Sequence, residues 1–328
     1  MDANRRRGRF APTPSGQLHL GNARTALLAW LQMRSVGGEF LLRMEDIDTY
    51  RSKPSLAQQI LDDLRWLGID WDTGPDIGGP DAPYTQSERL KLYEAAMRQL
   101  FEKDALYPCF CSRADLQQIA SAPHGLASEG PAYPGLCRGL TANERAERAA
   151  RKTPSIRFRM PEEDGIEFED AFLGWQRFSP SQHGGDFIVR RADEVFGYQL
   201  AVVVDDAAMR ITDVLRGADL LDSTPRQLQL YEALALPAPR FAHVPLLVGA
   251  DGQRLSKRHG STTLAAWRGA GTPPERVVGA LAWLSGLIAQ PEPLRAAELA
   301  REPFRLDAVP AEPAVVDERV FRFLAGER

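Results

Sequence analysis

The sequence predicts a parallel α/β fold organised around a nucleotide-binding sheet. Three observations predict it. The chain opens as strand, loop, helix, strand. Its first loop falls at the carboxyl end of the first strand, where open parallel sheets bind nucleotides. The α/β pattern then resumes after a long, cysteine-bearing interruption. The 328 residues, 44% of them hydrophobic, suffice for one large domain or two to three ordinary ones. The expected division is a sheet domain in two halves, 1–106 and 192–260, split by an inserted subdomain, 107–191, and followed by a short helical region, 261–328.

Taken in order, Arg7 to Ala11 reads as a short strand, and Pro12 to Gly16 is a loop whose prolines and glycine break regular structure. Ala26, Leu27, Trp30, Leu31 and Met33 then recur at helical spacing from about Gly21 to Arg34, and Gly37-Gly38 ends the helix. Glu39 to Met44 reads as a second buried strand. Helices are expected over Leu56 to Leu67 and Ser87 to Lys103, separated by a Gly/Pro/Asp-rich loop. Within the insertion one charged helix and short strands at Ser155 to Met160 and Asp186 to Arg190 are expected, giving it α+β character. The α/β pattern resumes with Tyr198 to Val204, a helical segment near Asp222 to Leu234 and a strand near Val244 to Val248. Helices around Leu264 to Ala270 and Pro274 to Leu287 precede a Pro-rich tail.

The net charge of −4 gives no global basic footprint, so a nucleic-acid partner would need local patches. Arg145, Arg148, Arg151 and Lys152 form one, but with Glu144 and Glu147 interspersed they read as a solvated helix face. The longest apolar runs, such as Leu200 to Val204, fall far short of the roughly 18 residues of a bilayer span. Arg5-Arg6-Arg7 is followed by Gly8-Arg9-Phe10-Ala11-Pro12 rather than by an apolar stretch, so no signal peptide is read there and a cytoplasmic location is expected. Three cysteines argue against a disulfide framework.

Two separated segments carry the chemistry: Pro12-Thr-Pro-Ser-Gly-Gln-Leu-His19-Leu-Gly-Asn22 and Arg254-Leu-Ser-Lys257-Arg258-His-Gly. Alone, His19 reads as a packed or surface histidine. Set with Gly21 and Asn22 at the mouth of a helix, where backbone amides and the dipole favour phosphate, it reads as part of a triphosphate site. Gly249, Gly252 and Gly260 flank the second segment, consistent with a loop that closes over substrate. The first segment resembles the histidine-containing signature of class I aminoacyl-tRNA synthetases, and the second resembles their lysine loop. Arg9-Phe-Ala-Pro-Thr-Pro-Ser-Gly, Leu42-Arg-Met-Glu-Asp-Ile-Asp48 and Leu255-Ser-Lys-Arg-His-Gly are similar to the glutamate-specific branch, over roughly residues 8 to 265.

That resemblance implies a Rossmann-like class I synthetase catalytic domain with ATP as substrate, accompanied by Mg2+. It implies phosphate contacts and assistance to catalysis from His19, Asn22 and Lys257, with Gly21, Leu255 and Ser256 alongside. Asn22 departs from the family pattern, which often has histidine there; the amide still donates a hydrogen bond but carries no charge. For the amino acid, an arginine fork suits a carboxylate better than lysine does, which nominates Arg9 and Arg216. The resemblance implies that Arg9, Phe10, Ala11, Pro12, Thr13 and Ser15 line the glutamate site, that Glu45 takes the amino group, and that Tyr198 and Arg216 complete it. Asp46 and Asp48 read as capping or loop-anchoring residues, and a magnesium site at Asp205-Asp206 is the weaker reading of that pair.

Cys109, Cys111 and Cys137 cluster in the insertion and read as three ligands of a tetrahedral, structural zinc site, one per chain, in preference to small buried side chains without metal. The fourth ligand is His124 or Tyr133: imidazole is the usual zinc ligand, while resemblance to a subset of glutamate-type relatives with Cys-X-Cys and Tyr-X-X-X-Cys favours Tyr133. Trp66, Trp71, Trp175 and Trp283 read as packing residues.

The chain ends about seventy residues after Lys257, which leaves no room for the large helical region that reads the anticodon in full-length relatives. The short members of the family are the expected match. They make glutamyl-adenylate without tRNA and pass glutamate to the queuosine base at the wobble position of tRNA(Asp), docking on the anticodon loop. A monomer with no membrane partner is expected. The rival readings are a truncated synthetase charging a tRNA 3′ end, a small-molecule ligase of similar fold, and a non-catalytic RNA-binding descendant.

Overall fold

The structure, a computed structural model, describes residues 5–112, 114–116, 133–161, 165–179, 185–253, 255 and 263–327. At its centre is a four-stranded, wholly parallel sheet of β1 (Arg7–Phe10), β2 (Glu39–Leu42), β8 (Asp213–Gly217) and β9 (Arg240–Val244), in the order β2-β1-β8-β9. Helix α1 (Leu20–Arg34) links the first two strands, as the opening pattern predicts. Helices α2 (Pro54–Trp66) and α3 (Leu90–Glu102) follow, each within a few residues of its expected bounds.

Both faces of the sheet are covered, so each strand feeds two cores by alternation. Phe10, Phe40, Leu42, Leu215 and Val244 join α1 and α2 in one core. Leu41, Val214 and Phe241 join α3 and helix α5 (Tyr198–Ala208) in the other. On this second face the apolar side chains give way to charged ones towards the carboxyl ends of the strands. Leu41 is followed on its face by Arg43, Val214 by Arg216 and Phe241 by His243, all buried.

The run Tyr198 to Val204 opens helix α5, nearly all of whose residues are buried. Because it is covered on almost every side, it lacks the polar stripe that reveals a helix in sequence. Strand β8 had no separate sequence signal, and the expected strand near Val244 to Val248 resolves into β9 and the short β10 (Leu247–Gly249).

Between α3 and α5 lie an antiparallel sheet of β3 (Leu106–Cys109), β4 (Ser155–Phe158) and β7 (Phe187–Arg190), helix α4 (Ala142–Ala149), and a hairpin of β5 (Ile166–Asp170) and β6 (Gly174–Phe178). Helix α4 buries no residue, and its Glu147 pairs with Arg151 just past its end, as a solvated face should. Helices α6 (Thr224–Ala233), α7 (Leu264–Gly269) and α8 (Pro274–Leu284) complete the second half. The Pro-rich tail is more ordered than its composition suggests. It contains a short helix α9 (Ala296–Leu299), a strand β11 (Ala314–Val316) parallel to β10, and helix α10 (Glu318–Ala325) against α8. No helix among the described residues is long and apolar enough to cross a membrane.

Candidate active site

A cavity of about 460 Å3 opens at the carboxyl ends of β1, β8 and β9. Arg9, Phe10, Ala11, Pro12, Thr13, Ser15, His19, Gly21, Asn22, Glu45, Tyr198, Arg216 and Leu255 all line it. Ser256 and Lys257 lie outside the described residues. The flanks of their segment are described: one lines the cavity and the other touches residues that line it. Leu255 lines it, while Thr263 bridges to His19 and the Leu264 amide donates to the Leu18 carbonyl at 2.9 Å.

His19 is the N-cap of α1. Its Nδ1 accepts from the amides of Gly21 (3.1 Å) and Asn22 (3.3 Å), and Asn22 Oδ1 accepts from the His19 amide. Those two amides, expected to face phosphate directly, are therefore engaged by the imidazole. With Nδ1 an acceptor, the ring proton belongs on Nε2, which makes the histidine a donor.

At the other end of the cavity the charges form a buried lattice. Asp206 accepts from Arg9 Nε (3.3 Å) and Arg43 Nη1 (2.7 Å), and Arg43 Nη2 donates to Glu45 at 3.0 Å. Asp205 takes Arg89 (2.6 Å), Tyr93 (2.8 Å) and Gln86 (2.9 Å). Asp205 and Asp206 are thus spent on arginines, and the magnesium reading of this pair fails. Burial pushes the Glu45 carboxyl above its ordinary range, against the pull of Arg43 and Arg9. Burial likewise raises the Tyr198 hydroxyl, with Arg216 pulling the other way.

Arg216 differs from Arg9. Its Nε donates to His243 Nε2 (2.9 Å), its Nη2 to Thr224 Oγ1 (2.9 Å) and the Leu220 carbonyl (3.3 Å), and its guanidinium lies 5.2 Å from the Phe241 ring centroid. All of these partners are uncharged, and Nη1 has no hydrogen-bond partner. Burial, with Arg9 nearby, draws the Arg216 pKa down. A buried cation so arranged lacks an anion.

Four contributors escaped sequence reasoning. Arg43 is wholly buried between Glu45 and Asp206, and only its alternation with Leu41 hinted at its inward face. Arg24, in α1, lines the cavity and ties the helix to the Pro245 carbonyl (2.5 Å) and Ser285 (2.9 Å); burial lowers its pKa to about 10. His243 and Asp170 stand behind Arg216 and are far from it in sequence, so no local motif joins them. Asp46 and Asp48 anchor loops as expected, Asp46 accepting from Ser87 and Asp48 from Arg191. Of the tryptophans, Trp71 is buried and Trp66 and Trp283 pack on a core, but Trp175 is 74% exposed on β6, against expectation.

In the second cluster, Cys109, Cys111 and Cys137 hold their sulfurs within 4.8 Å of one another. Tyr133 places its hydroxyl 3.5 Å from the Cys109 sulfur, accepts the Cys137 amide at 2.8 Å, and lies with its ring under Arg157 at 3.8 Å. His124 lies outside the described residues. Burial pushes the Cys109 thiol up, but Tyr133 and Arg157 outweigh it and hold the thiol below its ordinary range. Three thiols so close, in a buried pocket with a cation nearby, suit a thiolate-bound metal.

The family model for tRNA synthetases class I (E and Q), catalytic domain, matches residues 6–321. The chain is 62% identical over 320 residues to a Glutamyl-Q tRNA(Asp) synthetase of Symbiobacterium thermophilum, covering 97% of this chain and 98% of the relative. It is 52% identical over 285 residues to a protein of the same name from Nitratidesulfovibrio vulgaris, covering 86% and 87%. Among solved structures, a glutamate-tRNA synthetase from Elizabethkingia anophelis superposes with a TM-score of 0.85 at 31% identity, covering 98% of this chain and 70% of the other. The cavity at the strand ends, the capped helix beside it and these likenesses agree: the chain belongs to the class I tRNA synthetases of the glutamate and glutamine type.

Proposed function

We propose that this protein activates glutamate with ATP and transfers it to the queuosine base at the wobble position of tRNA(Asp). The observation that carries the amino-acid assignment is Arg216, a buried guanidinium at the cavity whose hydrogen-bond partners are all uncharged. A side-chain carboxylate supplies the missing anion; the amide of glutamine does not, and leaving the cation unmatched costs glutamine about 1–3 kcal/mol or more. Glu45 receives the α-ammonium, which also relieves its own burial. Arg9, already neutralised by Asp206, shapes the pocket beside Phe10, Ala11, Pro12, Thr13 and Ser15.

In the first step an α-carboxylate oxygen of glutamate attacks the α-phosphorus of ATP, the bond to pyrophosphate breaks, and pyrophosphate leaves. His19 Nε2–H and the side-chain NH2 of Asn22 donate to the phosphates at the head of α1, and Lys257 neutralises charge on them. In the second step a queuosine hydroxyl attacks the activated carbonyl and AMP leaves, the hydroxyl proton passing to AMP or to solvent. The proteins named Glutamyl-Q tRNA(Asp) synthetase support the choice of acceptor. Cys109, Cys111, Cys137 and Tyr133 hold a structural zinc ion, whose four protein ligands leave no open position for chemistry.

Glutamate-dependent exchange of labelled pyrophosphate into ATP, without tRNA, tests the first step. Mass analysis of nucleosides from tRNA(Asp), with and without queuosine, tests the second. Glutamate is expected on the queuosine nucleoside alone, and equal charging of unmodified tRNA at its 3′ end sinks the acceptor assignment.

A further inference from the structure

The hydrogen bonds behind Arg216 fix more than its position. Arginine stays protonated, so Arg216 Nε–H donates and His243 Nε2 must be a bare acceptor. The imidazole proton then sits on Nδ1 and is given to Asp170 Oδ2 at 2.6 Å. Asp170 belongs to the last position of β5, so the hairpin reaches across to β9, where the Ala171 amide also donates to the Phe241 carbonyl. Its other oxygen, Oδ1, accepts three backbone amides, from Phe172 (3.0 Å), Leu173 (2.9 Å) and His243 (3.2 Å). Asp170 and His243 are fully buried.

We infer that Asp170 and His243 are positioning residues for glutamate recognition: the carboxylate fixes the Nδ1–H tautomer, and that tautomer gives Arg216 an uncharged acceptor that aims the guanidinium at the cavity without neutralising it. The inference rests on the reading of Arg216 as the residue that binds the glutamate side chain. A carboxylate in place of the imidazole would pair with Arg216 and compete with the substrate; a donor would repel it. The neutral Nδ1–H imidazole satisfies both requirements.

Asp170→Asn separates this role from ordinary packing. Three amide donors keep the asparagine oxygen at the Oδ1 site, so its NH2 group takes the Oδ2 site and faces His243 Nδ1. The imidazole proton is driven to Nε2, where it meets the Arg216 Nε–H head on. By charge alone, losing an anion near Arg216 would tighten glutamate binding. Displacement of the guanidinium weakens it, so the two effects have opposite signs.

In the full-length protein the expected result is a KM for glutamate raised at least tenfold in pyrophosphate exchange, an unchanged KM for ATP, and weaker preference for glutamate over glutamine. The tautomer is read independently by 15N-histidine NMR. The chain has five histidines, and His243→Gln identifies the resonances of His243 by their loss. Wild-type protein is expected to show Nδ1–H, and Asp170→Asn the Nε2–H form. A wild-type Nε2–H tautomer overturns the inference, even if the variant does not fold. So does a glutamate KM that is unchanged or lower, or one that rises equally with the KM for ATP. Absence of glutamate-dependent exchange in the wild type would instead overturn the proposed function, leaving the tautomer measurement to judge the relay by itself.

Discussion

At the scale of single residues the site is a charge lattice in which Glu45, Asp205 and Asp206 each meet an arginine. Arg43 is its hub, wholly buried, with Asp206 at 2.7 Å, Glu45 at 3.0 Å and Asp205 at 3.8 Å. Its three carboxylates hold it charged, well above the ordinary arginine range, despite the cost of burial. Arg43→Met keeps much of the volume and leaves Glu45 without its 3.0 Å donor. Removing one partner of a buried ion pair costs about 3–5 kcal/mol, so the variant is expected to unfold at markedly lower urea and to lose glutamate activation. A urea midpoint equal to wild type would show that the carboxylates find other partners. Arg9 to Ser15 and Glu45 were legible because they sit in continuous motifs. Arg43, His243 and Asp170 were not: a buried polar residue is identified by its partner, and Asp206 is 163 residues from Arg43, Arg216 27 from His243 and His243 73 from Asp170.

At the scale of elements, helices with one wet face declared themselves, and elements buried all round or paired at long range did not. Helices α2 and α3 carry a clear apolar stripe and were found within a few residues of their bounds. Helix α5 is covered on nearly all sides, and its Val202-Val203-Val204 run has strand propensity that tertiary packing overrides. The cysteine cluster stands at the end of the sheet of β3, β4 and β7, where Cys109 ends β3 and Cys111 and Cys137 close on it from loops. Purified protein is expected to contain about one zinc ion per chain, and Cys111→Ser to lose it, since a structural site needs its four ligands. Hydrogen exchange should then quicken in β3, β4 and β7 while β1, β2, β8 and β9 keep their protection. Elemental analysis finding no zinc, with all three thiols reactive, would refute the assignment.

At the scale of the whole molecule, the second half of the chain closes the site that the first half begins. Strand β10 starts at Leu247, which lines the cavity, and runs towards the segment containing Lys257. Its ladder partner is β11, with Leu247 opposite Ala314 and Gly249 opposite Val316. Beyond it α10 buries Val320 and Leu324 against the core and receives bonds from Arg276 to the Phe323 carbonyl and from Thr272 to the Leu324 carbonyl. A tail that composition presents as irregular is therefore tied through β11 to β10, whose Leu247 lines the cavity. Deleting residues 312–328 strips β10 of its pairing and removes the buried Val316, Val320 and Leu324, each worth about 1.5–3 kcal/mol when buried. Loss on the order of 5 kcal/mol is expected, with the KM for ATP rising more than that for glutamate, because Arg216, His243 and Asp170 do not touch this segment. Thermal unfolding and pyrophosphate exchange measure both quantities. If the shortened protein melts lower but binds ATP normally, β11 supports the fold alone, and the phosphate side of the cavity is held by the docking of Thr263 and Leu264 on His19 and Leu18.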